Sequence, residues 1–74
     1  MTDWDRLAQA AEAENELVAV AARIATTNEH RASLIRRRTE LWAFLAECGR
    51  SQARLAELSG TSAMRVSQVL KGAE

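Results

Sequence analysis

The sequence predicts an all-α protein in which a long, coiled-coil-like N-terminal helix is followed by three shorter helices. The 74 residues include no proline, and the three glycines, Gly49, Gly60 and Gly72, all lie in the last third of the chain. Residues 3–25 are rich in alanine and glutamate, which favour helix strongly. A chain of this length is expected to form one small domain, or one small domain with an extension.

The N-terminal helix carries a narrow apolar stripe with a heptad period. Glu14 is its one interruption, and its apolar members are Leu7, Ala10, Leu17, Ala21 and Ile24. Because so narrow a stripe suits a close seam between two helices, we expect it to pair two copies of the chain as a homodimer. We therefore divide the chain into a dimerisation helix, residues 1–28, and a second domain, residues 29–74.

Residues 26–30, TTNEH, leave two interpretations open. They favour helix weakly but include no helix breaker. Either a loop or kink separates two helices here, or the helix continues and keeps Asn28 in the heptad phase, where a buried asparagine fixes register.

The second helix is predicted to begin at residue 29 or 31 and to end at residue 47. Its wide apolar face has spacings of three and four, with Leu34, Ile35, Leu41, Trp42, Phe44 and Leu45. Gly49 suits the left-handed conformation that ends helices, and Ser51 is a suitable N-cap for the next helix.

Two short helices joined by a tight turn are predicted after this corner. The first covers about residues 52–59, and Gly60 supplies the positive φ that the turn needs. Ser62 caps the second, at about residues 63–71. The residues expected to face the core are Leu55, Leu58, Val66, Val69 and Leu70.

This arrangement of helix, glycine turn and helix resembles the helix-turn-helix family of DNA-binding domains, such as those of repressors and of the promoter-binding part of sigma factors. The residues that carry the resemblance are Ala56, Gly60, Val66 and Val69. They match the small residue that lets the helices approach, the turn glycine and two residues that hold the second helix in place. Ser59 and Thr61 depart from the pattern, because the family usually has apolar residues there.

The resemblance implies that the helix beginning near Ser62 lies in the major groove of DNA. The residues expected to face the bases are Ser62, Ala63, Met64, Ser67, Gln68 and Lys71. Gln68 is the sharpest candidate, because a glutamine side chain can form two hydrogen bonds with an adenine edge. Met64 has an alternative interpretation as a gap-filling core residue. Residues expected to hold phosphates are Arg50, Gln52, Arg54 and Arg65.

The charges divide the chain into two parts of opposite sign. Residues 1–30 carry a net charge of −4 and residues 31–74 a net charge of +4, so that the whole chain is neutral. We therefore expect the C-terminal part to face an anionic partner, double-stranded DNA, and the acidic helix to lie away from it.

Other functional classes find no support in the sequence. The single cysteine, Cys48, and the single histidine, His30, give no metal-ligand spacing, and no catalytic constellation is evident. We expect a non-enzyme without metal, cofactor or small-molecule ligand. The first ten residues, MTDWDRLAQA, do not resemble a signal peptide, and no segment suits a membrane span, so the cytoplasm, as bacterial cytosol or nucleoid, is expected.

These observations lead to the hypothesis of a small homodimeric, sequence-specific DNA-binding protein, a transcriptional regulator of bacterial or phage type. One alternative is a helical adaptor that binds other proteins. Another is a nucleoid-type binder without sequence preference. Salt-dependent binding to any duplex would favour the nucleoid-type binder, whereas no DNA binding even at low salt would favour the adaptor.

Overall fold

The computed structural model describes residues 3–72, and every regular element within them is an α-helix. The helices are α1 (Asp3–Thr26), α2 (Arg31–Glu47), α3 (Gln52–Ser59) and α4 (Ala63–Leu70). The predictions of an all-α fold and of a long N-terminal helix are confirmed. The outer ends of the two predicted domains, residues 1–2 and 73–74, lie outside the described residues.

The chain breaks between α1 and α2, which decides between the two interpretations of residues 26–30. The backbone N–H of Glu29 donates to the hydroxyl of Thr27 (3.1 Å), and His30 takes a left-handed conformation with φ of 57°. The Arg31 guanidinium then donates to the carbonyl of Ile24 (2.9 Å). This bond satisfies one of the carbonyls that have no partner within α1, because they belong to its last turn.

After this turn, α2 runs antiparallel to α1. The Arg37 guanidinium contacts both carboxylate oxygens of Glu16 (2.5 and 2.8 Å), and Arg6 donates to the carbonyl of Glu47 at the end of α2 (3.2 Å). The hydrogen bond from Arg37 lowers the pKa of the Glu16 carboxyl below its usual value, against the opposing effect of burial. Because both side chains are nearly half exposed, we assign this pair about 1 kcal/mol or less of stability.

One hydrophobic core joins all four helices. Its buried members are Ala10, Ala13, Leu17, Val20 and Ile24 from α1, Leu41, Trp42 and Leu45 from α2, Leu55 and Ala56 from α3, and Val66 and Val69 from α4. Helix α1 packs against both α2 and α3. Residues of both predicted domains therefore share a single core.

The corners around α3 and α4 follow the predicted local signals. Gly49 and Gly60 have φ of 92° and 67°. This left-handed conformation is energetically unfavourable for residues that carry a side chain. Ser51 and Ser62 accept hydrogen bonds from backbone N–H groups in the first turns of α3 and α4, each at 3.1 Å. These glycines and serines fix where the two short helices begin and end.

A partly buried hydrogen bond joins α2 to the end of α3. The Trp42 side chain is fully buried, and its indole N–H donates to the hydroxyl of Ser59 (2.8 Å). The guanidinium of Arg38 lies over the same indole ring, 4.5 Å from its centre. Ser59 is one of the two departures from the helix-turn-helix pattern, and this bond gives it a physical reason. An apolar residue there would leave the indole N–H without this acceptor.

We expect Ser59→Ala to lower the free energy of unfolding by about 1–3 kcal/mol, because the buried indole N–H loses its acceptor. Urea denaturation of the full chain measures the effect. Introducing Ser59→Ala into a Trp42→Phe background serves as the control, because phenylalanine has no N–H to satisfy. An equal loss in both backgrounds would show that the hydrogen bond does not matter.

Candidate nucleic-acid interface

The exposed side of α4 collects most of the residues predicted to contact bases. Val66 and Val69 point into the core, so the opposite side of this short helix faces solvent. Ser62, Ala63, Met64, Gln68 and Lys71 are exposed, and Ser67 is half-buried. Met64 is 71% exposed, so its alternative interpretation as a core residue is wrong.

Two cations on or next to α4 have no side-chain partner among residues 3–72. They are Arg65 and Lys71, neither of which forms an ion pair or a side-chain hydrogen bond within this range. The sequence from residue 58 to residue 72 contains no acidic residue. The surface of α4 therefore combines positive charge with polar and small apolar groups, and no carboxylate of its own opposes an anion.

The start of α3 brings together three of the predicted phosphate-binding residues, but two of them are engaged. Arg50 contacts the Glu14 carboxylate at 2.6 Å, and Arg54 lies 3.5 Å from the same carboxylate and 2.8 Å from that of Glu57. Gln52, the third, is exposed. Of the four predicted phosphate-binding residues, Arg65 and Gln52 are the two without an ion pair in the described part of the chain.

Glu14 is the residue of this region whose role the sequence did not suggest. Its side chain is 18% exposed, and it reaches from α1 to the N-terminal end of α3. Its hydrogen bond with Arg50 lowers the pKa of the Glu14 carboxyl, with a further contribution from Arg54, against the opposing effect of burial. The one available signal was that Glu14 is the charged residue that interrupts the apolar stripe of α1.

No protein-family model, curated protein or solved structure matches the chain.

The five residues predicted to pair two copies of the chain have other surroundings. Ala10, Leu17 and Ile24 are buried in the chain's own core, and Ala21 is half-buried. Leu7 is 55% exposed. Helices α2 and α3 pack against the part of the predicted stripe that holds Ala10, Leu17 and Ile24. The three buried side chains are therefore not accessible to a second chain in this structure.

Neither a membrane-spanning helix nor a metal-binding cluster is present among residues 3–72. No helix there has both the length and the apolar character needed to cross a membrane. No group of three or more histidine, cysteine, aspartate or glutamate side chains within that range is placed to hold a metal ion.

Proposed function

We propose that this chain binds double-stranded DNA in a sequence-specific manner, with α4 in the major groove, and acts as a small transcriptional regulator. In this proposal α3, the Gly60 turn and α4 form a helix-turn-helix unit. The observation that carries the proposal is the exposed side of α4 and its C-terminal end, where Arg65 and Lys71 have no ion pair among residues 3–72, Gln68 presents its amide, and residues 58–72 include no acidic residue.

The chemistry of this side suits base edges. Gln68 is exposed and supplies one donor group and one acceptor group, which is the pairing that an adenine edge offers. Ala63 and Met64 supply apolar contacts for thymine methyl groups. Arg65 and Lys71 add the positive charge that holds phosphates or guanine. All five residues lie within nine positions, on α4 or at its C-cap, so that one short segment carries the contacts to DNA.

The positioning contacts differ from the sequence-based expectation. Arg50 and Arg54 are held by Glu14, so in the proposed complex they lose part of that pairing before they hold a phosphate. Arg65 and Gln52 are available without such a loss. We therefore assign the first phosphate contacts to Arg65 and Gln52, and secondary contacts to Arg50 and Arg54.

Selection of bound sequences from a random duplex library tests the proposal. The full chain is expected to enrich one motif, and Gln68→Ala is expected to cost about 1–3 kcal/mol of binding free energy at one base pair of that motif. Gln9→Ala is the matched control, because Gln9 is equally an exposed glutamine but lies on α1. It should leave both affinity and motif unchanged.

Each alternative function has its own outcome in this experiment. Salt-dependent binding without an enriched motif would replace sequence-specific regulation by nucleoid-type binding. Absence of DNA binding at low salt would refute the proposal and favour a helical adaptor that binds protein. An equal loss on all duplexes with Gln68→Ala would show that Gln68 does not contact a specific base.

A further inference from the structure

A second apolar face of α1 remains uncovered. We call it the outer stripe, and its members are Trp4, Leu7, Ala11, Val18, Ala22 and Ala25. Trp4, Leu7 and Val18 are 81%, 55% and 47% exposed, and they are three of the four large hydrophobic side chains exposed among residues 3–72. Such a concentration of apolar surface on one side of a helix is typical of an interaction site.

The outer stripe is distinct from the core side of the same helix. Trp4, Ala11, Val18 and Ala25 follow one another at intervals of seven residues, as in a helix that packs along another helix. At 3.6 residues per turn, this line lies about a third of a turn away from the line of Leu17 and Ile24. No member of the outer stripe carries a charge.

A shallow, open groove adjoins the C-terminal half of the outer stripe. Its volume is about 380 Å³, and it lies between α1 and the end of α3. The residues that line it include Val18, Ala22 and Ala25 from α1, and Glu57 and Leu58 from α3. Trp4, the most exposed large hydrophobic side chain among residues 3–72, lies at the opposite end of the same stripe.

We propose that two copies of this chain pair through their outer stripes in antiparallel orientation, so that Trp4 of each chain enters the groove of the other. In this register Trp4 lies opposite Ala25, Leu7 opposite Ala22, and Ala11 opposite Val18. Every pair joins a larger side chain with an alanine, which lets the two helices approach evenly along their length. A two-fold axis requires this reciprocity, because each contact occurs twice with the roles exchanged.

The charges of α1 favour this orientation over a parallel one. Its first turn carries Asp3 and Asp5, whereas its last turn carries Arg23. Parallel pairing would bring the two acidic ends together. Antiparallel pairing separates them by about 30 Å, at 1.5 Å per residue, and opposes the two helix dipoles favourably.

The groove also offers a polar partner for the incoming indole. A tryptophan that becomes buried usually retains a hydrogen bond from its N–H. Glu57 lines the groove and is exposed, and because Arg54 binds its Oε1, its second carboxylate oxygen supplies an acceptor at the rim. The apolar groups of Ala22, Ala25 and Leu58 receive the ring itself.

Sedimentation equilibrium of the full chain without DNA tests the pairing, and its result does not depend on the proposed function. We expect a concentration-dependent mass between one and two chains of 8.2 kDa. Ala22→Glu should raise the dimer dissociation constant more than about tenfold, because the interface would bury an unpaired carboxylate. Ala19→Glu is the matched control, since Ala19 is exposed three positions earlier but lies outside the stripe. Far-UV circular dichroism checks that both variants are folded.

Disulfide formation tests the orientation. In a Cys48→Ala background, a mixture of Leu7→Cys and Ala22→Cys chains should form a mixed disulfide dimer, whereas Ala22→Cys alone should remain uncrosslinked. Crosslinking of Ala22→Cys with itself would overturn the antiparallel register. A chain that stays monomeric up to about 1 mM, or equal weakening by the two glutamate variants, would overturn the pairing surface.

Discussion

Leu17→Ala is expected to lower the free energy of unfolding by about 3–5 kcal/mol, because the substitution leaves a cavity in the shared core. The Leu17 side chain is fully buried where α1 packs on the other helices. A chain of this size has a total stability of about 4–11 kcal/mol, so the variant is expected to lose much of it. Thermal and urea denaturation at low micromolar concentration measure the loss.

Val18→Ala provides the control for this prediction. Val18 is the next residue on the same helix, but it is 47% exposed and lies on the outer stripe. Its truncation in the monomer should cost less than about 1 kcal/mol. If Leu17→Ala changed the sedimentation mass and left monomer stability intact, Leu17 would belong to an interface between chains rather than to the core.

Glu14→Gln is expected to lower the free energy of unfolding by about 1–3 kcal/mol at neutral pH. The substitution leaves the partly buried Arg50 without the carboxylate that it contacts at 2.6 Å. Urea denaturation at several pH values measures the effect. Glu12→Gln is the control, because Glu12 is an exposed carboxylate on the same helix and has no ion pair among the described residues.

The effect of Glu14 depends on pH in a defined direction. The pKa of the Glu14 carboxyl is lower in the folded chain than its usual value of 4.5. The contribution of the ionised Glu14 carboxylate to the free energy of unfolding is therefore complete above pH 4.5. It is lost as the pH falls through the lower pKa of the folded state. The stability difference between the wild type and Glu14→Gln should be constant near neutral pH and should shrink below pH 4.5. A difference that persisted unchanged at acid pH would contradict the role of this charge pair.

Glu14→Gln is also informative about DNA binding. If Arg50 and Arg54 hold phosphates after leaving Glu14, the variant should bind duplex DNA more tightly, and its affinity should fall more steeply with salt. Unchanged affinity and salt dependence would restrict the phosphate contacts to residues such as Gln52 and Arg65. This result would leave the role of Gln68 in base recognition untouched.

Much of the helical pattern could be predicted from the sequence because local interactions determine it. Ser51 and Ser62 cap helices by bonding to backbone groups three residues away, and Gly60 is needed for a positive φ in a single turn. Such signals depend only on neighbouring residues. The weak helix formers of residues 26–30 gave no comparable signal, so the break there required the structure.

What the sequence could not provide was the identity of the surface that covers each apolar face. The period of Leu17 and Ile24 shows that one side of α1 is buried, but α2, α3 or a second copy of the chain would satisfy that period equally well. The pairing of Glu14 with Arg50 could not be predicted for the same reason, because the two residues are 36 positions apart and only the fold brings them together. Tertiary packing therefore changed the interpretation of α1 and of two predicted phosphate contacts.

The packing of α1 against α2 and α3 also has a kinetic consequence. It places Glu14 and Glu16 against Arg37, Arg50 and Arg54, so the charges that are segregated along the chain neutralise one another across a few ångströms. A neutral molecule of this kind creates a weak long-range field. We therefore expect its encounter with a polyanion to proceed without strong electrostatic steering, at about 10⁵–10⁶ M⁻¹s⁻¹, and its selectivity to depend on how long the complex lasts.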